Sequence, residues 1–359
     1  MKKVLTILLF PLLAVNVVAA ALLICCAYSP LLPAEHMPLF SLAGLAFPFV
    51  LVGNICFFFL WLLLYPRYMA MPLITILICL APIRDFIPIH FDRQRPPENS
   101  LKVLSYNILS SNITASNVNK GNAVINYLES SDADIICLQE LQFSALKKNK
   151  KLLEEYPYRS YLVSNDSELA SCFLGCLSKY PILDVENLKF SDTFNGASKY
   201  RILHERDTIV VYNCHLQSIG LGNEDKSTYE QILSNPKDNI RSAGSKEIVK
   251  KLRDSAIKRA EQADIIMTHL KKETSPYIIV CGDFNDSPIS YTCHTMRERL
   301  QDAYADSGNG PGISYNRNKL YYRIDHILHS RHFRAYRCMV DRSIKVSDHY
   351  PIYCFLEKE

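Results

Sequence analysis

Two patterns of hydrophobic and polar positions divide this chain. Up to residue 91 apolar residues run almost unbroken, whereas beyond residue 100 they come in short bursts that each end in a polar cluster. The first long run, residues 4–26, is interrupted only by Thr6, Pro11 and Asn16. The second, 38–65, is rich in Phe and carries Trp61 and Tyr65 near one end; the third, 68–83, is shorter and precedes Arg84 and Asp85. A helix rises ~1.5 Å per residue and a bilayer core is ~30 Å thick, so these runs predict three transmembrane helices with aromatic residues at an interface. Lys2-Lys3 before an apolar stretch and Ala19-Ala20-Ala21 within it are also features of a cleaved signal peptide. Here the run continues through Leu22 to Cys26, where a mature terminus would turn polar, so residues 1–91 are read as a retained, multi-pass membrane anchor.

Basic residues beside the spans give an orientation. Lys2 and Lys3 precede the first run, none lies between residues 28 and 37, and Arg67 sits in the second loop, which places the amino terminus inside and the remainder of the chain on the extracytoplasmic side. Arg84, Arg93 and Arg95 pull the other way. Residues 92–100 are polar and contain Pro96-Pro97, an extended linker.

The bursts beyond the linker predict strands at 102–106, 135–138, 158–163, 171–177, 200–203, 208–214, 277–281, 322–328, 334–340 and 350–355. Helical spacing appears at 117–129, 142–155 and 245–271, the last with Ile248, Leu252, Ala256, Ala260 and Ala263 on one face. Ser287 as a cap and Pro288 at a first helical position predict a further helix over 289–300. Many strands with covering helices mean a layered α/β (α+β) arrangement, taken as one domain over 101–359. The polar stretch 217–243 reads as an insertion that either borders a site or is a solvated loop.

Composition changes this picture little. Of 40 basic and 36 acidic residues only six and four precede residue 100, so the rest is nearly balanced and offers no broad basic surface for a polyanion. The twelve cysteines match no zinc or disulfide framework; Cys137, Cys214 and Cys281 lie in apolar strand runs as small buried side chains, and Cys172, Cys176, Cys293, Cys338 and Cys354 leave a disulfide open.

Six of the polar clusters carry chemistry: Ser105-Tyr106-Asn107, Leu138-Gln139-Glu140, Asn213-Cys214-His215-Leu216, Gly282-Asp283-Phe284-Asn285, Arg323-Ile324-Asp325-His326 and Ser347-Asp348-His349. Their carboxylates, amides and imidazoles are the groups that hold a hard divalent cation, bind a phosphate and aim a water. Asp283 and Asn285, two apart, share one face of an extended segment. No nucleophile elbow with Ser or Cys occurs, so a covalent intermediate is not called for.

The order and identity of these clusters resemble the endonuclease/exonuclease/phosphatase family, which includes deoxyribonuclease I, exonuclease-III-type repair nucleases, inositol polyphosphate 5-phosphatases and neutral sphingomyelinases. The resemblance covers residues 100–359. It implies a four-layer αββα sandwich of the deoxyribonuclease I-like type with its site at one end. It further implies that Glu140 is the main metal ligand with Asn107 in support and Asp348 contributing. Asp283 would orient or deprotonate the attacking water, and Asn285 would donate to phosphoryl oxygens. Asp325 would hold His349, which would stabilise developing charge or act as an acid, and His215 would bond a phosphate oxygen or protonate the leaving group. Strand alternation sends His326 and Tyr106 away from such a site, and Arg323, one pleat further in, is also left out.

These readings converge on a membrane-anchored phosphoesterase that uses Mg²⁺, with Mn²⁺ as the alternative ion, and an in-line attack by water. Its substrate would be a lipid or inositol phosphate, a nucleic acid or a small phosphoester, its other partner the lipid bilayer, with no obligate protein partner. The alternatives are a nuclease acting on DNA or RNA and a catalytically silent membrane-bound binding module of the same fold.

Overall fold

Apolar bursts pair into two six-stranded sheets in the computed structural model, which describes all residues except 1, 92–93, 110–117, 142–145, 147–148, 162–173, 192, 194, 221, 236–241 and 318–320. The strands are β1 (Leu101–Asn107), β2 (Ile135–Gln139), β3 (Tyr158–Tyr161), β4 (Gly175–Ser178), β5 (Ile182–Lys189) and β6 (Gly196–His204), followed by β7 (Asp207–His215), β8 (Ile278–Asp283), β9 (Gln301–Asp302), β10 (Asp325–His329), β11 (Phe333–Val340) and β12 (Ile352–Lys358). One sheet has the order β11-β12-β1-β2-β4-β3 and the other β5-β6-β7-β8-β10-β9.

Period-two alternation sorts each strand between two interfaces. Val103, Ile135, Cys137 and Ile352 of the first sheet face Ile209, Val211, Ile279, Cys281 and Ile327 of the second. The intervening residues face outward onto helices. Helix Ala243–Lys272 lays Ala263, Ile266, Met267 and Leu270 on Val210, Tyr212 and Val280, and helix Val118–Ser130 lays Val124, Ile125 and Leu128 on Leu104, Ile136 and Leu138. Helix, sheet, sheet, helix is the αββα sandwich. The eleven described cysteines are free, with Cys137, Cys214 and Cys281 buried in these layers, and Cys172 lies outside the described residues.

Several elements differ from expectation. The amino-terminal region has two straight helices long and apolar enough to span a membrane, Leu9–Leu31 and Ala43–Leu64, while the third run is a pair, Pro66–Ile78 and Leu80–Phe86, bent by 61°. Pro82 explains the bend: it cannot donate to the carbonyl four residues back, and its ring clashes there. The helix placed at 289–300 instead spans Tyr291–Arg297, capped by Ser290, whose hydroxyl accepts from the Cys293 amide. Of the helix at 142–155 the described part is Lys150–Glu155, and 142–145 and 147–148 fall outside the described residues. The strand at 158–163 is described to Tyr161 and the one at 171–177 from Gly175. The insertion 217–243 contains helix Asn223–Ser234, with 221 and 236–241 outside the described residues. The linker's residues 92–93 are outside them too.

The apolar helices are pinned to one another and to the sandwich. Trp61 Nε1 donates to Asn16 Oδ1 at 2.8 Å and Asn54 Nδ2 donates to the Ala19 carbonyl at 2.9 Å between the two straight helices. Ile289 of the sandwich is buried with Leu23, Phe47 and Phe86 of the bundle. Gly44 lies so close that a Cβ there would be 1.9 Å from the Ile289 carbonyl oxygen, so no larger residue fits without displacement. Arg297 pairs with Asp85 at 2.7 Å, the fully buried Arg323 guanidinium donates to the Asp85 carbonyl, and the Gly310 amide donates to the Pro88 carbonyl at 2.9 Å.

Candidate active site

Strand ends from both sheets converge at one end of the sandwich. Parallel pairing of β1 and β2 sets Asn107 opposite Gln139, next to Glu140. In the other sheet Asp283 on the central β8 is opposite His215 on β7 and Asp325 on β10. The segment before β12 adds His349. Gly282 is what lets β7 and β8 meet so tightly: its φ is +139°, and a Cβ would fall 1.9 Å from the Cys214 carbonyl oxygen. Glu140 (φ +53°) and Asn285 (φ +51°) are both non-glycine residues in the left-handed region, a conformation that costs roughly 1 kcal/mol or more and that surrounding contacts must enforce.

One carboxylate connects the two halves. Asp283 Oδ2 accepts from Asn107 Nδ2 at 3.0 Å, and the same nitrogen donates to Glu140 Oε1 at 3.1 Å. His349 Nε2 lies 3.6 Å from Asp283 Oδ2 while its Nδ1 is 2.8 Å from Asp325 Oδ2. His215 Nε2 stands 3.8 Å from Asp283 and 3.9 Å from Glu140, near both carboxylates but hydrogen-bonded to neither. Asp283 Oδ1 accepts from the Asn285 amide at 2.9 Å, and Asn285 Nδ2 donates to the Leu216 carbonyl at 3.0 Å. Seven of the eight sequence-predicted residues thus form one contiguous network. Asp348 stands apart: its carboxylate is reached by the Ser347 hydroxyl at 3.4 Å, and no described contact joins it to Glu140.

Burial and charge set the protonation states. Burial raises the Asp283 carboxyl above the usual range, His349 opposes that, and Asp325 adds to it. For His349, burial favours the neutral ring, but the Asp325 and Asp283 carboxylates overcome it and push the pKa up to about 10. His349 is therefore an imidazolium at neutral pH. A folded pKa above the unfolded ~6.5 gives stability that is complete below ~6.5 and is lost as pH rises through about 10. Urea midpoints measured from pH ~7 to ~10.5 are expected to fall for the native chain, and this part of the fall is expected to vanish in His349→Gln. Equal slopes in the two proteins would refute the assignment.

The residues left out of the site, two on alternation and Arg323 on depth, make other contacts. His326 is buried against Phe284 with Nε2 3.0 Å from the Asp286 carbonyl, Tyr106 sits in the outer core, and Arg323 serves the contact with the apolar helices. Sequence reasoning missed the polar groups that brace the site. Gln139 Nε2 donates to Asn213 Oδ1 at 2.7 Å, and Asn213 Nδ2 donates to the Leu138 and Gly175 carbonyls, bridging the sheets beneath the site. The signal was an amide inside an apolar strand run, which requires a partner when buried. Arg259 on the long helix bonds both the Gln217 carbonyl and the Asp286 carboxylate, fixing the loops after His215 and Asn285; nothing in its local sequence marked it.

The sequence pattern of the endonuclease/exonuclease/phosphatase family matches residues 104–349, which include every strand end of the site. The chain belongs to that family. Endonuclease/exonuclease/phosphatase proteins are phosphoester hydrolases that depend on divalent metals. Residues 6–86 match a separate domain of unknown function. Among curated proteins none matches the chain. Similar solved structures include an endonuclease/exonuclease/phosphatase from Bacteroides vulgatus (17% identity, 73% of this chain and 100% of that one, TM-score 0.53). Another is sphingomyelinase C from Streptomyces griseocarneus (17%, 71% and 99%, 0.51). A third is a humanized D. rerio TDP2 (15%, 72% and 99%, 0.53). At these identities the likeness is one of fold.

Proposed function

We propose that this protein is a membrane-anchored, Mg²⁺-dependent phosphoesterase that hydrolyses a headgroup phosphoester at the bilayer surface. The observation that carries the catalytic reading is the Asp283 carboxylate touching both Asn107, which holds Glu140, and His349, which is held by Asp325. Asp283, Asp325 and His349 offer ligand atoms within 4.8 Å of one another, and of the His349 nitrogens Nδ1 is already bonded to Asp325. The donor chemistry fits a hard cation better at Glu140, whose side chain is 29% exposed toward the cleft, with the Asn107 amide beside it. A bound Mg²⁺ supplies Lewis-acid polarisation of the phosphoryl oxygen.

The chain's own groups do the rest. Asp283, its basicity raised by burial, takes a proton from the attacking water. His349 as an imidazolium faces the negative charge that develops on phosphorus-bound oxygens. His215 protonates or binds the leaving oxygen, and Asn285 keeps one amide hydrogen beyond its bond to Leu216 for a substrate oxygen.

Placement favours a lipid over a nucleic acid. Ile289, shortly after Asn285, is buried against Phe47 and Phe86, which ties the loop after Asn285 to the apolar helices. The described end of the bundle opposite the sandwich carries Arg67, and Lys2 begins the helix from that side, which under the positive-inside tendency supports an extracytoplasmic sandwich, while Arg84 on the sandwich side pulls the other way. Full-length protein in detergent micelles is expected to hydrolyse bis(p-nitrophenyl) phosphate with Mg²⁺ and to stop on chelation. Glu140→Gln is expected to raise the Mg²⁺ concentration needed for half-maximal rate by ~10-fold or more. Activity that persists with chelator, or an unchanged metal requirement, would remove the metal from the reading. Faster turnover of plasmid DNA than of phospholipid would replace the lipid substrate by nucleic acid.

A further inference from the structure

A cavity of about 910 Å³ runs along the edge strand β11. It begins at His90 and Gln94, just beyond the last apolar helix, and reaches Arg342. Arg334, Arg337 and Arg342 border it, all exposed. Among the described residues no carboxylate lies within 4.0 Å of these three guanidiniums. Asp306, the one described acid of the lining, lies 3.3 Å from His329 Nε2. Tyr336, Tyr353 and Phe355 supply an aromatic wall.

The strand itself is shaped at this point. Pairing with β12 shifts register between Tyr336 and Met339, and Arg337 within the bulge has φ +47°, a left-handed conformation unusual for a long side chain. Bulges on edge strands re-aim side chains, and strained backbone clusters at ligand sites. Where the chain leaves the helices, Ile89 is 66% and Phe91 99% exposed, apolar surface that water does not favour.

We propose that this groove binds the phosphate headgroup of an anionic phospholipid from the leaflet facing the sandwich, as an accessory site apart from the catalytic centre. Three arginines with no carboxylate within 4.0 Å fit an anion, although Arg334 also bonds Gln94 and stands across the strand pair from Glu357, and the aromatic wall with Ile89 and Phe91 fits the glycerol and acyl portions that a soluble phosphate lacks. The proposal rests on the membrane placement given above and not on the catalytic assignment.

The test is native mass spectrometry of the full chain released from micelles doped with phosphatidylglycerol or phosphatidylcholine, with glycerol 3-phosphate as competitor. The wild-type chain is expected to retain phosphatidylglycerol in preference to phosphatidylcholine, and Arg334→Gln/Arg337→Gln to lose that preference by about tenfold or more. Hydrolysis of bis(p-nitrophenyl) phosphate is expected to stay unchanged in the double variant, so failure of the catalytic reading would show separately, as absent hydrolysis in the wild type. Equal phosphatidylglycerol retention by both proteins overturns the proposal. Displacement of the lipid by equimolar glycerol 3-phosphate also overturns it, in favour of a soluble-phosphate site.

Discussion

Asp283→Ala in the full chain is expected to lower turnover of bis(p-nitrophenyl) phosphate by ~10³-fold or more, with the folded state preserved. The size follows from what one carboxylate does. It is placed to accept a proton from water, a role worth ~10²–10⁴-fold, and it also orients Asn107 and faces His349. Removing it leaves the Asn107 amide nitrogen bonded only to Glu140 and deprives the His349 cation of one of its counter-charges. Asp283→Asn retains the shape without the base and is expected to be nearly as inactive. Rates in Mg²⁺, with far-ultraviolet circular dichroism as the control for folding, decide the matter; either variant within tenfold of the wild type would rule out Asp283 as the base.

A substitution remote from the chemistry is expected to act almost as strongly. In Gly44→Leu the new side chain has no room beside the Ile289 carbonyl, so the contact between helix Ala43–Leu64 and the sandwich has to open. Overpacking of this kind costs ~1–3 kcal/mol. The strain falls on the loop that follows Asn285, and a displacement of ~1 Å at a catalytic group is enough for a ~10²-fold loss of rate. Gly53→Leu, on the same helix where the position is open, is the matched control and is expected to be neutral. Steady-state rates of the two variants compared side by side would test this, and equal activity would show that the helices tether the sandwich without bracing its site. For the same reason assays belong on the full chain, since residues 101–359 alone would expose Ile289 and leave Arg297 and Arg323 without Asp85.

How much of this was legible depends on the range of the interactions. β1, β2, β7 and β8 announce themselves because both of their faces are buried, which demands continuous apolar runs ending at the site. β5, Ile182–Lys189, did not, because it lies at a sheet edge with most side chains exposed and reads as polar. The helix start was misplaced from Ser287 to Ser290 for a tertiary reason. Asp286 is engaged by Arg259 and Thr292 and Ile289 by the apolar helices, so the backbone is spoken for before a helix can begin. The candidate site residues drew attention through their types and order; their braces, Arg259 and the Gln139–Asn213 pair, join residues far apart in sequence and leave no local trace.

The Gln139–Asn213 bridge limits how the sandwich can move. Each half of the site rides on a different sheet, and the two amides are locked together between them, with Asn213 also gripping the Leu138 and Gly175 carbonyls. Sliding one sheet over the other would strip these buried groups of their partners at ~1–3 kcal/mol apiece. The jaws are therefore set in their working position before any substrate arrives, and whatever opening and closing accompanies a turnover has to come from the loops at the rim.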